Sequence, residues 1–136
     1  MAFRWWWTKP FAALAGSGRA RGQSIEGQAA QWLRGQGLIL LERNYQIVGG
    51  EIDLVMREAA TIVFVEVRYR RDPRATRAVD SVGARKRQLL LRTAQSWLAA
   101  HPEHARRPCR FDVLGVEGEI DQLRYQWVRH AFDAGG

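Results

Sequence analysis

Over residues 49–70 the chain reads GGEIDLVMREAATIVFVEVRYR, and its apolar positions recur with the two-residue period of extended chain. The pattern predicts two strands, residues 51–57 and 61–69, joined by a short turn at 58–60. On the second strand Val63, Val65 and Val67 point one way, and Ile62, Phe64, Glu66 and Arg68 the other. Both faces are apolar until Glu66, as in a central strand covered on both sides. On the first strand Ile52, Leu54 and Met56 share one face, and Glu51 and Asp53 the other. Carboxylates on neighbouring buried strands are costly unless a cation meets them. A divalent metal, a basic side chain, or both would do so.

Helical spacing flanks this pair. Residues 24–36 predict a helix with Ser24 as N-cap and Gly37 as its stop. Glu26, Ala29, Ala30 and Leu33 fall on one face of it. Glu26 is therefore either an inward functional carboxylate or a first-turn acid favoured by the helix dipole. Residues 38–46 predict a strand, and 70–78 a basic loop containing Pro73. A long helix is expected over 79–100, with Val79, Val82, Leu90, Thr93 and Trp97 on one face and Lys86 at the centre of that face. Lys86 either meets buried carboxylates or snorkels from the edge of the stripe. Two more strands are expected at 110–116, with Phe111, Val113 and Gly115 inward, and at 123–132. The order is α-β-β-β-α-β-β, an α/β domain over residues 23–132 with a flexible tail at 1–22 and a short one at 133–136. Trp5, Trp6 and Trp7 lie in the first tail, which is cut by Thr8, Lys9 and Pro10 and reads either as mobile chain or as a contact for a partner or membrane interface.

Composition narrows the function classes. The 136 residues suffice for one domain with a hydrophobic core, and 46% hydrophobic content is ordinary for a globular chain. A single cysteine, Cys109, rules out an internal disulfide framework and suits a reducing compartment, so a cytoplasmic location is expected. No apolar run reaches the length of about 18 residues that a membrane span needs. His101, His104 and Cys109 do not make a zinc site, because Pro102 breaks their spacing and no fourth ligand is near. The sequence Gly-Glu-Ile-Asp recurs at 118–121, but in a polar turn context rather than as a repeat.

Charge changes the picture more. The net charge is +7, from 21 basic and 14 acidic residues, and only Lys9 and Lys86 are lysine. Residues 68–92 carry Arg68, Arg70, Arg71, Arg74, Arg77, Arg85, Lys86, Arg87 and Arg92 against only Asp72 and Asp80, while the remainder of the chain balances. The excess follows directly on the carboxylate strand. It marks either a solvated basic face or a surface for a polyanion, most simply nucleic acid. Arg70, Arg71, Arg74 and Arg77 are the leading backbone contacts, with Arg85 and Arg87 next.

The inward polar groups are Glu26, Glu51, Asp53, Glu66, Arg68 and Lys86. A helix carboxylate, a strand aspartate and a buried Glu-x-basic on the next strand together resemble the PD-(D/E)XK, or restriction-endonuclease-like, pattern. More closely, the chain resembles the YraN family of bacterial proteins, which are similar to archaeal Holliday-junction resolvases. The residues that carry the likeness are Glu26, Ala29, Leu33, Arg43-Asn44, Gly49-Gly50-Glu51-Ile52-Asp53-Leu54, Val63-Phe64-Val65-Glu66-Val67-Arg68, Lys86 and Arg110-Phe111-Asp112. The likeness covers roughly residues 22–132.

The resemblance implies a restriction-endonuclease-like mixed sheet of about five strands with helices packed on it. It also implies hydrolysis of phosphodiester bonds in DNA, more than RNA, with Mg²⁺ or Mn²⁺. Asp53 and Glu66 would be the metal ligands, the Val67 carbonyl a third, and Glu26 would act through a water or a second metal. Branched or repair intermediates would be the substrates, and a homodimer the working form. One departure stands out: the motif lysine is Arg68, which holds its proton too tightly to be a base. Either the metal chiefly activates the water, or Lys86 takes the motif lysine's place, or the chain keeps nucleic-acid binding without catalysis.

Overall fold

The computed structural model describes residues 24–72 and 83–132. Helix α1 (Ile25–Gly35) leads into strands β1 (Ile39–Ile47), β2 (Gly50–Glu58) and β3 (Thr61–Arg70). Helix α2 (Ala84–Ala100) and a 3₁₀ turn (Pro102–His104) precede β4 (Cys109–Glu117) and β5 (Arg124–Phe132). The five strands form one sheet in the order β1-β2-β3-β4-β5. β1/β2, β2/β3 and β4/β5 are antiparallel, whereas β3/β4 is parallel, as a crossover through α2 requires. This is the expected mixed α/β sheet in the expected order.

Local chemistry sets the element ends. Ser24 Oγ accepts from Gly27 N at 2.9 Å and caps α1, and Gly37, at φ +105°, supplies the left-handed turn after it. The long helix starts later than the sequence spacing suggests. Gly83 is its N-cap, so the helix expected from residue 79 begins at Ala84. Val79 and Val82, the arginines Arg74 and Arg77, both tails and Trp5–Trp7 lie outside the described residues.

The sheet is covered on both sides. Ile25, Ala29, Ala30 and Leu33 of α1 pack on Leu54, Met56, Val63, Val65, Val67, Leu114 and Val116. Leu90, Ala94 and Trp97 of α2 pack on Ile52, Val55, Ile62, Phe64, Phe111 and Val113. β3 thus contributes alternate residues to two cores, and Ile62, Val63 and Leu54 are wholly buried. Among the described residues no helix is long and apolar enough to cross a membrane.

β2 lies close under α2 at Gly50. A Cβ there would sit 2.2 Å from Thr93 Oγ1 and 3.5 Å from the Leu89 carbonyl oxygen. Thr93 cannot swing away freely, because its hydroxyl donates to Leu89 O at 2.7 Å and its side chain is buried. Gly50→Ala is expected to destabilise the domain by about 1–3 kcal/mol, the usual cost of overpacking. Equilibrium urea unfolding measures it, and an unchanged midpoint would contradict the close approach.

Candidate active site

The site is organised by a change of face in β2. Regular alternation would put Glu51 and Asp53 on one side and Ile52, Leu54 and Met56 on the other. The structure corrects this: Ile52 joins the core under α2, while Leu54 and Met56 join the core under α1. The paired register of β2 with β3 runs from Leu54↔Val65 to Glu58↔Thr61 and stops short of Asp53. There the Asp53 carboxylate takes over, its Oδ2 accepting from the Val67 backbone N–H at 2.8 Å. A side chain thus replaces a ladder bond and holds a buried acid against the peptide that joins Glu66 to Val67.

Glu66 lies on the face of β3 that packs against α2. Lys86, in the first turn of α2, places Nζ 2.9 Å from Glu66 Oε2, and both side chains are over nine-tenths buried. Lys86 therefore meets a carboxylate rather than snorkelling. Such a pair is worth little against an apolar substitute, yet breaking it strands a charge. Arg68, two residues beyond Glu66 on the same face, is completely buried.

Glu26 has partners of its own. It sits on the buried face of α1 and meets Arg43 of β1, with Arg43 Nε 3.4 Å from Glu26 Oε1 and the Asn44 side chain also bonding it. Asn44 has φ 55°, a left-handed conformation that asparagine tolerates better than most residues. The register sets Arg43 against Leu54 and Tyr45 against Ile52, so Asn44 lies on β1 across from Asp53. Among the described residues no three of His, Cys, Asp and Glu form a group able to hold a metal ion. The expected convergence of Glu26 with Asp53 and Glu66 is thus not found; Arg43 and Asn44 engage Glu26 instead. Glu51, grouped with the inward acids from sequence, is half-buried and accepts from Gln46 Nε2 at 3.3 Å across the β1–β2 turn.

Burial raises the Glu26 carboxyl above its ordinary value of 4.5, outweighing the opposing pull of Arg43 and Asn44. The folded state then binds the proton more tightly than the unfolded chain. This contribution to stability is full below about pH 4.5 and is lost as pH rises through the raised value. Glu26→Gln is expected to melt higher than the natural chain at pH 7, with the gap narrowing toward pH 4. Thermal melts across that range check it, and a pH-independent difference would sink it.

The basic residues divide. Arg70 is buried and ion-paired with Glu117, so it is not the surface contact expected of it. Arg71 is exposed and lies 3.2 Å from Glu119. Arg85 is exposed and Arg87 half-buried at the start of α2. With Lys86 they make a first turn that carries no acid at all. Positive side chains at a helix N-terminus oppose the dipole and gain from an anion placed there.

Asp112 went unassigned in the sequence beyond its place in the family likeness. It is buried and accepts from Arg110 Nε at 2.9 Å, Trp127 Nε1 at 2.9 Å and the His130 N–H at 2.9 Å. Its one sequence signal was an acid alternating with apolar residues in a strand. The Asp53 and Glu66 oxygens suit a small hard cation, since Mg²⁺ commonly takes one or two carboxylates and fills its remaining positions with water and phosphate.

Uncharacterised protein family UPF0102 matches residues 25–116. A UPF0102 protein of Alcanivorax borkumensis is 47% identical over 120 residues, spanning 88% of this chain and 96% of that relative. One from Stutzerimonas stutzeri is 45% identical over 116 residues, spanning 85% and 97%. Among solved structures, SfsA of Pyrococcus furiosus in complex with Ca²⁺ aligns with a TM-score of 0.35 at 14% identity, over 82% of this chain and 63% of that one, a likeness too slight to carry any argument. Sequence similarity along nearly the whole described domain makes the chain a member of uncharacterised protein family UPF0102, which is the YraN family.

Proposed function

We infer that the chain is a divalent-metal-dependent nuclease that hydrolyses phosphodiester bonds in DNA, including branched or repair and recombination intermediates. The observation that carries this is the Asp53 carboxylate bound to the Glu66–Val67 peptide, with Glu66 itself facing Lys86. Two buried acids on adjoining strands, one of them meeting a buried lysine, are an expensive arrangement for a purely structural purpose.

Asp53 and Glu66 would hold Mg²⁺ or Mn²⁺, with the Val67 carbonyl available beside them. A bound divalent ion lowers the pKa of water and offsets charge on the phosphate. The chain's own residues do the rest. Arg68, two residues after Glu66 on the same strand face, adds fixed positive charge and keeps its proton. Lys86, the lysine that meets Glu66, takes the place of the motif lysine. Arg85 and Arg87, at the positive N-terminal end of α2, favour a phosphate. Glu26 acts by fixing Arg43 and Asn44 on the strand beside Asp53.

The test is cleavage by the full chain of four-way, forked and single-stranded DNA with Mn²⁺ or Mg²⁺. Metal-dependent products support the reading, and folded protein that cuts none of these overturns it. A second reading is favoured by Arg68 at the lysine position and by the Lys86–Glu66 pair, which already balances one acid. There the chain binds nucleic acid without cutting it. Binding would then weaken with salt in proportion to the phosphates contacted and persist in chelator. Absence of binding at low salt excludes it.

A further inference from the structure

Resting on the nuclease reading, we propose that Lys86 and the divalent cation compete for Glu66, so that Lys86 couples metal binding to DNA binding. The ammonium stands 2.9 Å from Glu66 Oε2 with both groups buried, and Arg68 adds positive charge on the same strand face. A dication taken up by Glu66 and Asp53 would share that low-dielectric space with the ammonium. Like charges a few ångströms apart repel far more strongly there than in water. The ammonium therefore leaves Oε2 when the cation is bound.

Lys86 can make that exchange because of where it sits. It is the third residue of α2, between the exposed Arg85 and the half-buried Arg87, and its four-carbon stem has freely rotating bonds. A DNA phosphate brought to this helix end offers the displaced ammonium a new anionic partner. DNA then removes the obstacle to the metal, and by linkage the metal strengthens DNA binding by the same factor. Arg68 does not share the role. It is completely buried in mid-sheet, where no exchange with an external anion is open to it.

The experiment is Mn²⁺ titration of the full chain without DNA at pH 8, followed by calorimetry, for the natural protein, Lys86→Met and Lys86→Arg. Lys86→Met keeps most of the stem and removes the charge, and is expected to bind Mn²⁺ about five- to a hundredfold more tightly, within the usual range of coupling between sites. Lys86→Arg is expected to bind no more tightly than the natural protein. Equal or weaker binding by folded Lys86→Met overturns the proposal, even where the natural protein cuts DNA and the nuclease reading stands. Absence of Mn²⁺ binding in every form likewise overturns the proposal, while cleavage of DNA decides the nuclease reading separately. The natural protein gives a second readout that needs no variant. Mg²⁺ should shift the Lys86 ¹⁵Nζ resonance, and the shift should grow when a short duplex is added. A resonance unmoved by saturating Mg²⁺ likewise overturns the proposal.

Discussion

Replacing Asp53 by asparagine is expected to leave the chain folded and to lower metal-dependent DNA cleavage by about a hundred- to a thousandfold, the scale of losing one preorganised electrostatic group. The substitution separates two tasks that one side chain performs. Asp53 Oδ2 accepts the Val67 N–H at 2.8 Å, and an amide oxygen can still do this. The amide cannot supply the negative charge that a divalent cation needs. Fold and function should therefore part company, with an unfolding midpoint near that of the natural chain and cleavage near background. Glu66→Gln should lose cleavage as well, but it also leaves Lys86 facing a neutral group in a buried setting, and so should cost stability too. Cleavage by Asp53→Asn at the natural rate would remove the carboxylate from the mechanism. A collapse in stability would mean instead that its charge is structural.

The fold was legible because β3 advertises itself. Its apolar residues occupy both faces from Ile62 to Val65, which suits only a strand with a layer on each side, and α1 and α2 supply those layers. The crossover between β3 and β4 follows from one helix lying between two strands. The start of α2 was less legible. Val79 and Val82 continue its helical spacing, but Gly83 takes extended dihedrals and caps the helix, and spacing carries no information on which residue will do so.

The site was half legible for a related reason. Glu66 and Lys86 were both placed inward from periodicity alone, and they meet. The face change at Asp53 was invisible, because Ile52, Leu54 and Met56 look like unbroken alternation. Only the bond from Val67 N–H to Asp53 reveals why the ladder can break there. Arg70 was misread for want of register. It belongs to a basic run, but the parallel pairing sets it against Glu117, nearly fifty residues away in sequence, and that partner draws it inside. Glu26 was correctly turned inward, while its partners Arg43 and Asn44 depend on how α1 lies across β1. In each case the sequence marked a residue as unusual, and tertiary register decided what it meets.

Asp112→Ala should cause the largest loss of stability of any single substitution considered, about 3–5 kcal/mol, the cost of leaving a buried charge without its counterpart. Asp112 is 1% exposed and lies where β4 meets β5. Removing its carboxylate leaves three donors behind: the Arg110 guanidinium, the Trp127 indole N–H and the His130 backbone N–H. His130 has φ 52°, so its N–H is set by a local kink and cannot turn to another acceptor without undoing β5. Arg110 keeps Glu58 at 2.8 Å, which limits the damage on that side. Asn at 112 can still accept from one or two of the donors, so Asp112→Asn should fall between alanine and the natural residue. Urea unfolding followed by tryptophan fluorescence reads the order, and Trp127 reports on this region directly. Unlike Asp53→Asn, either substitution at 112 should lower stability first and lose cleavage only as the folded fraction falls. Equal stability of Asp112→Ala and the natural chain would show that solvent replaces the carboxylate, and that the ladder with β4 and the apolar contacts suffice to hold β5.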